Sequence, residues 1–215
     1  MAVLWFVFTR IFRNSQIENF HVFVLCGLVP DNFLTLGWLT STTSIIDNAA
    51  LVKRVKFPRE IIPISTVLAN GVHFLIQLAL LLSLAIACEY IPTLTVLALA
   101  EIFLFELLFI CGVALISSAF DVYFRDVRYV VESASRVLFW LVPIFYSFQD
   151  IAPDYAWIYQ YNPVAAVVLA CRQVILEGNV PAVSLLRNLA VVSVLSAAVG
   201  LAVFRAMQRR FTDYL

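Results

Sequence analysis

An all-α, polytopic membrane bundle is the fold this sequence predicts, on three observations. Hydrophobic residues make up 63% of the 215 residues and charged residues only 13%, with a mean hydropathy of +0.96. A water-soluble domain of this size would leave much of that apolar surface facing solvent. The apolar residues also fall in repeated long runs, the pattern of membrane-crossing helices and not of the short alternating strands of a β-barrel. The formal net charge is zero, so no basic field argues for a nucleic-acid partner. Cys26, Cys88, Cys111 and Cys171 lie in apolar context without metal-ligand or redox spacing, and read as small packing residues.

Residues 1–12 form the first apolar run. Twelve helical residues reach about 18 Å against a hydrocarbon core of about 30 Å, so this run reads as an interfacial piece or a truncated first span. The next, 20–46, is of full length and is interrupted by Pro30, Asp31 and Asn32. Asp31 fits two roles, a helix cap after a proline break or a carboxylate lining a polar path.

Between the runs lies DNAALVKRVKFPREIIP, residues 47–63, with Lys53, Arg54, Lys56 and Arg59 inside seven residues. On a helix, Leu51, Val52 and Val55 share one side, and Lys53, Arg54 and Lys56 take the other. Asp47 or Asn48 can cap its start. Pro58 drives Phe57 out of the α region and ends it, and Pro63 suits the first turn of the next helix. On spacing alone, residues 47–60 read equally as an amphipathic docking helix and as a basic loop that fixes topology.

The span 61–88 carries Thr66, Asn70, His73 and Gln77 at spacings of four, three and four, one stripe of a helix. Such a stripe serves interhelical hydrogen bonding or lines a polar path. The next span, 93–120, carries Glu101 and Glu106. Counting helical rise from the ends of an antiparallel pair brings His73 and Glu101 to similar depth, so these two are expected to meet, with Glu106 a second candidate. A second charged loop, DVYFRDVRY at 121–129, contains Arg125 and Asp126. The run 130–146 follows, bent by Pro143.

Residues 147–163 change character. Tyr155, Trp157, Tyr159 and Tyr161 cluster before Asn162–Pro163, a density of aromatics suited to a membrane interface. The apolar stretch 164–176, with Arg172, is too short to cross and reads as a re-entrant helix closed by Gly178. The last span is 183–207. Ten of the fourteen Lys and Arg residues fall in the 47–60 loop, the 121–136 region and the C-terminal segment, which puts that side in the cytoplasm. The architecture expected is a single 1–215 membrane domain with five full spans, a truncated first span and an outer re-entrant hairpin.

The chain lacks a Walker lysine loop, a glycine-rich dinucleotide turn, an HExxH motif and a Cys/His metal cluster. No pocketed base with a metal or pyrophosphate clamp supports a lipid-modifying enzyme. Work done by this chain must draw energy from elsewhere. One way is proton or ion coupling through Asp31, His73, Glu101 and Glu106.

The other way comes from resemblance. NAALVKRVKFPREIIPIS at 48–65, VLANGVHFLIQL at 67–78, DVYFRDVRYV at 121–130, LFWLVPIFYS at 138–147 and YNPVAAVVLACRQVI at 161–175 together resemble the type-2 ABC transporter permeases that export O-antigen, capsule and teichoic acid. The resemblance implies a homodimer of permeases in the bacterial inner membrane, two cytoplasmic ATPase subunits carrying ATP and Mg, and a lipid-linked polysaccharide substrate. This chain itself would hold no cofactor and catalyse nothing. The resemblance also implies that 47–60 is the coupling helix. Leu51, Val52 and Val55 would be its contact face, Lys53, Arg54, Lys56 and Arg59 its electrostatic register, and Phe57–Pro58 a stiff joint, flanked by Asn48 and Glu60. Residues 148–176 would be the outer gate, where Tyr155, Trp157, Tyr159, Tyr161, Asn162, Pro163 and Arg172 sit. Members of that family carry a further amphipathic helix and a full first span ahead of the position of Met1.

Overall fold

A computed structural model describes residues 19–55, 57–90, 94–145 and 162–214. All of its regular structure in those residues is helical. The elements are α1 (Phe20–Asp47), α2 (Ala49–Arg54), α3 (Ile61–Ala87), α4 (Ala98–Tyr123), α5 (Val127–Leu141), α6 (Pro163–Ile175), α7 (Val183–Met207) and α8 (Phe211–Tyr214), with 3-10 turns at Leu94–Leu97 and Gln208–Arg210.

Among the described residues, four helices are long and apolar enough to cross a membrane: Phe20–Asp47, Ile61–Ala87, Thr95–Tyr123 and Val183–Met207. Their outward faces carry exposed Leu68, Val72, Leu80, Leu104, Val194 and Leu195, apolar surface that suits lipid and not water. Five such spans were expected. The difference is α5, whose 15 residues cover about 22 Å, short of the hydrocarbon thickness.

The expected interruption at Pro30–Asn32 is not present. α1 runs 28 residues with Pro30 inside it. A proline costs one i→i−4 bond, but inside a bundle the neighbouring helices hold the helix straight enough to continue. α1 is central, packing against α3, α4, α5 and α6. Phe33 of α1, Phe74 of α3 and Phe103 of α4 form a ring cluster with centroids 5.0, 5.6 and 4.9 Å apart. Two polar contacts add to the α1–α4 seam: Trp38 Nε1 donates to Ser117 Oγ at 3.2 Å, and Thr42 and Ser117 share a hydroxyl bond of 2.8 Å.

α3 ends in a Schellman motif. Tyr90 N–H reaches Ala85 O at 3.0 Å and Glu89 N–H reaches Ile86 O at 3.1 Å, with Glu89 itself left-handed at φ 68°. α6 begins as its sequence dictates, with Pro163 in the first turn and Asn162 Oδ1 accepting from Val164 N–H at 3.0 Å. Gly178 follows in the left-handed region at φ 64°.

A second, smaller hydrophobic core closes the end of the bundle that carries α2. Six elements contribute: Ile45 of α1, Val52 of α2, Ile62 of α3, Leu115, Ala119 and Val122 of α4, Phe204 of α7 and Phe211 of α8.

Candidate functional site: a basic turn and a polar cavity

The basic turn is shorter than 47–60. Only Ala49–Arg54 is helical, and Val55 is already extended at φ −119°, ψ 133°. The chain needs that extension to reverse and restart α3 at Ile61. Neither expected cap forms. Asp47 accepts from Thr43 Oγ1, and Asn48 Nδ2 donates to Ser44 O at 2.8 Å, so both side chains finish α1 and do not start α2.

The three apolar side chains of the turn do not share one offered face. Val52 is 3% exposed in the second core, whereas Leu51 and Val55 are 46% and 51% exposed. Lys53 and Arg54 are exposed beside them. Val52 therefore anchors α2, and the surface left over is a mixed edge of Leu51, Lys53, Arg54 and Val55. Lys56 lies outside the described residues. Phe57 is half-buried against the second core, and Pro58 is exposed.

Arg59 and Glu60 turn inward on the protein itself. Arg59 Nη1 donates to Gln208 O at 2.6 Å, and its guanidinium lies 6.0 Å from the Phe211 ring centroid. Arg205 Nη2 reaches Glu60 Oε1 at 3.5 Å. Arg125 and Asp126 are exposed in the turn between α4 and α5, at the same end of the bundle. Phe124 beside them is 65% exposed. Asp121, at the root of that turn, is buried and in electrostatic reach of Arg128 and Asp47; the sequence reading passed over it.

A cavity of about 850 Å³ opens between α1, α3 and α5. Its lining is mostly apolar and includes Leu25, Leu28, Leu80, Leu84, Phe139 and Trp140, with a minor polar part from Asp31, Asn32, Thr35, Gln77, Ser135 and the Glu132–Arg136 ion pair. Asn32 Nδ2 donates to Gln77 Oε1 at 3.2 Å. Asp31 Oδ1 and Ser135 Oγ are buried without a hydrogen-bond partner among the described residues. The amides of Asn32 and Gln77 and the Thr35 hydroxyl give this lining groups that can hydrogen-bond a hydroxyl-bearing guest, while its aromatic rim stacks on an apolar face.

The α3 stripe splits. Asn70 Nδ2 donates to Thr40 Oγ1 at 2.9 Å, Thr66 Oγ1 bonds back to Ile62 O, and Gln77 joins the cavity. His73 is exposed, and so is Glu101. The expected His73–Glu101 contact does not form within the chain; no hydrogen bond or ion pair joins them. Glu101 sits in the first turn of α4, and the counted depths ignored the rotation of each helix about its axis. Glu106 instead is buried, in electrostatic reach of Asp31. It lines a small void with Pro163 and Val164 at the start of α6.

Of the 148–176 residues, Tyr155, Trp157, Tyr159 and Tyr161 lie outside the described residues. Asn162 and Pro163 start α6. Arg172 is buried, with Nη2 donating to Ile144 O at 2.7 Å and its guanidinium 3.5 Å from the Phe23 ring centroid. It ties α6 to α1 and to the Val142–Phe145 segment.

No family model matches the chain. Over its whole length it is 30% identical to an O-antigen export system permease protein RfbA of Klebsiella pneumoniae, of which it covers 83%. A second protein of that name from Klebsiella pneumoniae matches to the same extent. An O-antigen export system permease protein RfbA of Myxococcus xanthus is 27% identical over 99% of the chain and 82% of its own length.

Proposed function

We propose, from the premise that this chain belongs to the type-2 ABC permeases of O-antigen export, that it is the membrane-spanning subunit of an ATP-driven exporter. Its cargo is a polysaccharide or lipid-linked glycan moved from the cytoplasm across the bacterial inner membrane. Two copies of the chain pair, and each engages one cytoplasmic ATPase subunit that carries the ATP and Mg. The chain performs no catalysis of its own.

The observation that carries this reading is the edge Leu51–Lys53–Arg54–Val55 on a helix anchored by Val52. Exposed apolar side chains interleaved with cations, between two spans, suit a cleft on a soluble partner: the apolar pair supplies contact area and the cations fix register. The cytoplasmic placement follows from the lysine and arginine distribution. The cavity between α1, α3 and α5 is one wall of the path, completed by the second copy, with Asn32, Thr35 and Gln77 offering hydrogen bonds to sugar hydroxyls. Thr66 and Asn70 brace that wall, and the outer segment with Asn162, Pro163 and Arg172 frames its exit. Co-purification tests the reading. Leu51→Asp or Val55→Asp lowers the amount of ATPase recovered with the folded permease; undiminished recovery rejects it.

Asp31 and Glu106, buried acids within electrostatic reach of each other, favour a second reading, ion or proton movement without ATP. It requires flux in vesicles that lack the ATPase and loss of that flux in Glu106→Gln. His73 and Glu101, exposed and apart, add nothing to it.

A further inference from the structure

We propose that the segment Gln208–Tyr214 is a transmission latch, which hands movement of the basic turn to α4 and α7 as well as to α3. The proposal rests on the coupling role given above to α2. Its basis is how the end of α7 is held. The last carbonyls of a helix have no intrahelical partners. Here Met207 O, the last carbonyl of α7, accepts from Tyr123 OH at 2.8 Å, and Gln208 O, which also takes the Phe211 N–H, accepts from Arg59 Nη1 at 2.6 Å. A cation at that end also complements the helix dipole.

The ring contacts run the same way. Phe211 is fully buried, edge-on to Phe204 at 5.4 Å and to Tyr123 at 6.1 Å, and Tyr123 lies 4.6 Å from Tyr214. Phe211 shares its core with Val52, the anchor of α2. A push on α2 therefore meets the end of α7 through Val52 and Phe211, and through Arg59 in the following turn. Close-packed side chains move together and do not compress. Without the latch, the turn keeps Val52 in the rest of the second core and the Phe57–Pro58 joint to α3, but loses the hold of Phe211 and of the Arg59–Gln208 bond at the end of α7.

The edge Leu51–Lys53–Arg54–Val55 is exposed whereas Phe211 is buried, so loss of the latch separates docking from transmission. The test uses the full chain co-expressed with its ATPase, and reads ATPase recovered with the permease, ATP hydrolysis and glycan reaching the cell surface. Phe211→Ala, which loses a buried ring, and Tyr123→Phe, which loses only the hydroxyl bond to Met207 O, are expected to keep ATPase association and hydrolysis while export falls, by about tenfold in the first and less in the second. Unchanged export overturns the proposal. So does export lost only in step with ATPase association, because the segment would then merely shape the docking surface. If Phe211→Ala is not recovered folded, Tyr123→Phe and Arg59→Lys decide it, since both keep the buried volume: normal export in both overturns the latch. A wild-type chain that recovers no ATPase rejects the coupling reading itself, a result separate from any of these.

Discussion

Gly112 of α4 and Gly200 of α7 meet backbone to backbone. A Cβ built on Gly200 would fall on the Gly112 carbonyl, and one on Gly112 would fall on Ser196. Ser196 Oγ donates to Phe109 O at 3.3 Å beside this contact. Small residues at a crossing let helices in lipid approach closely enough for dispersion and hydrogen bonds to replace the absent hydrophobic drive. Gly200→Val is therefore expected to force α4 and α7 apart and cost about 3 kcal/mol or more. Thermal unfolding of the purified permease in detergent checks it, with Ser193→Ala on the same helix as the mild control.

Arg172 is expected to hold the outer segment, and a lysine cannot replace it. The planar guanidinium both donates to Ile144 O and lies over Phe23, which an ammonium on a flexible stem does not do at once. Arg172→Lys and Arg172→Met should each lower stability by about 2–4 kcal/mol, because buried backbone carbonyls lose their donor. Protease sensitivity of the region after Ile144 should rise in both variants.

The split stripe on α3 gives an asymmetric pair. Asn70→Ala removes a bond to Thr40 and should cost about 1 kcal/mol. His73→Leu, at an exposed site, should be neutral or slightly stabilising in lipid, where a polar ring is the costlier occupant. Equal losses in the two variants, measured by steric trapping or SDS unfolding, would contradict the placement of His73.

Much of the membrane architecture was legible in composition and run length, because a span must be long, apolar and internally hydrogen-bonded. The start of α6 was legible too, since Asn162–Pro163 is a local signal. What could not be read was rotation and rank among neighbours. Pro30 looks like a break in one dimension and is tolerated in three. Val52, Leu51 and Val55 share a side on an ideal helix, but the second core draws in Val52 alone. Arg59 looks like part of a basic docking face until Gln208 and Phe211, some 150 residues away, are seen to occupy it. Glu106 carried no sequence signal that α6 would start beside it.

Asp31 and Glu106 are expected to behave as a pair. Two buried like charges in reach of each other destabilise the fold unless one is neutral. Glu106→Gln should therefore raise stability by about 1 kcal/mol, and Asp31→Asn should do so less, because Asp31 borders the open cavity. Unfolding at fixed pH on the two single variants and the double variant measures the coupling.

Docking of α2 on a cytoplasmic ATPase is read out by a photo-crosslinking amino acid at position 51, in the native membrane with the ATPase present. An ATPase adduct is expected from position 51 and none from position 80, where Leu80 borders lipid and the cavity. No adduct from position 51, or equal adducts from both, rules out a docking role for α2.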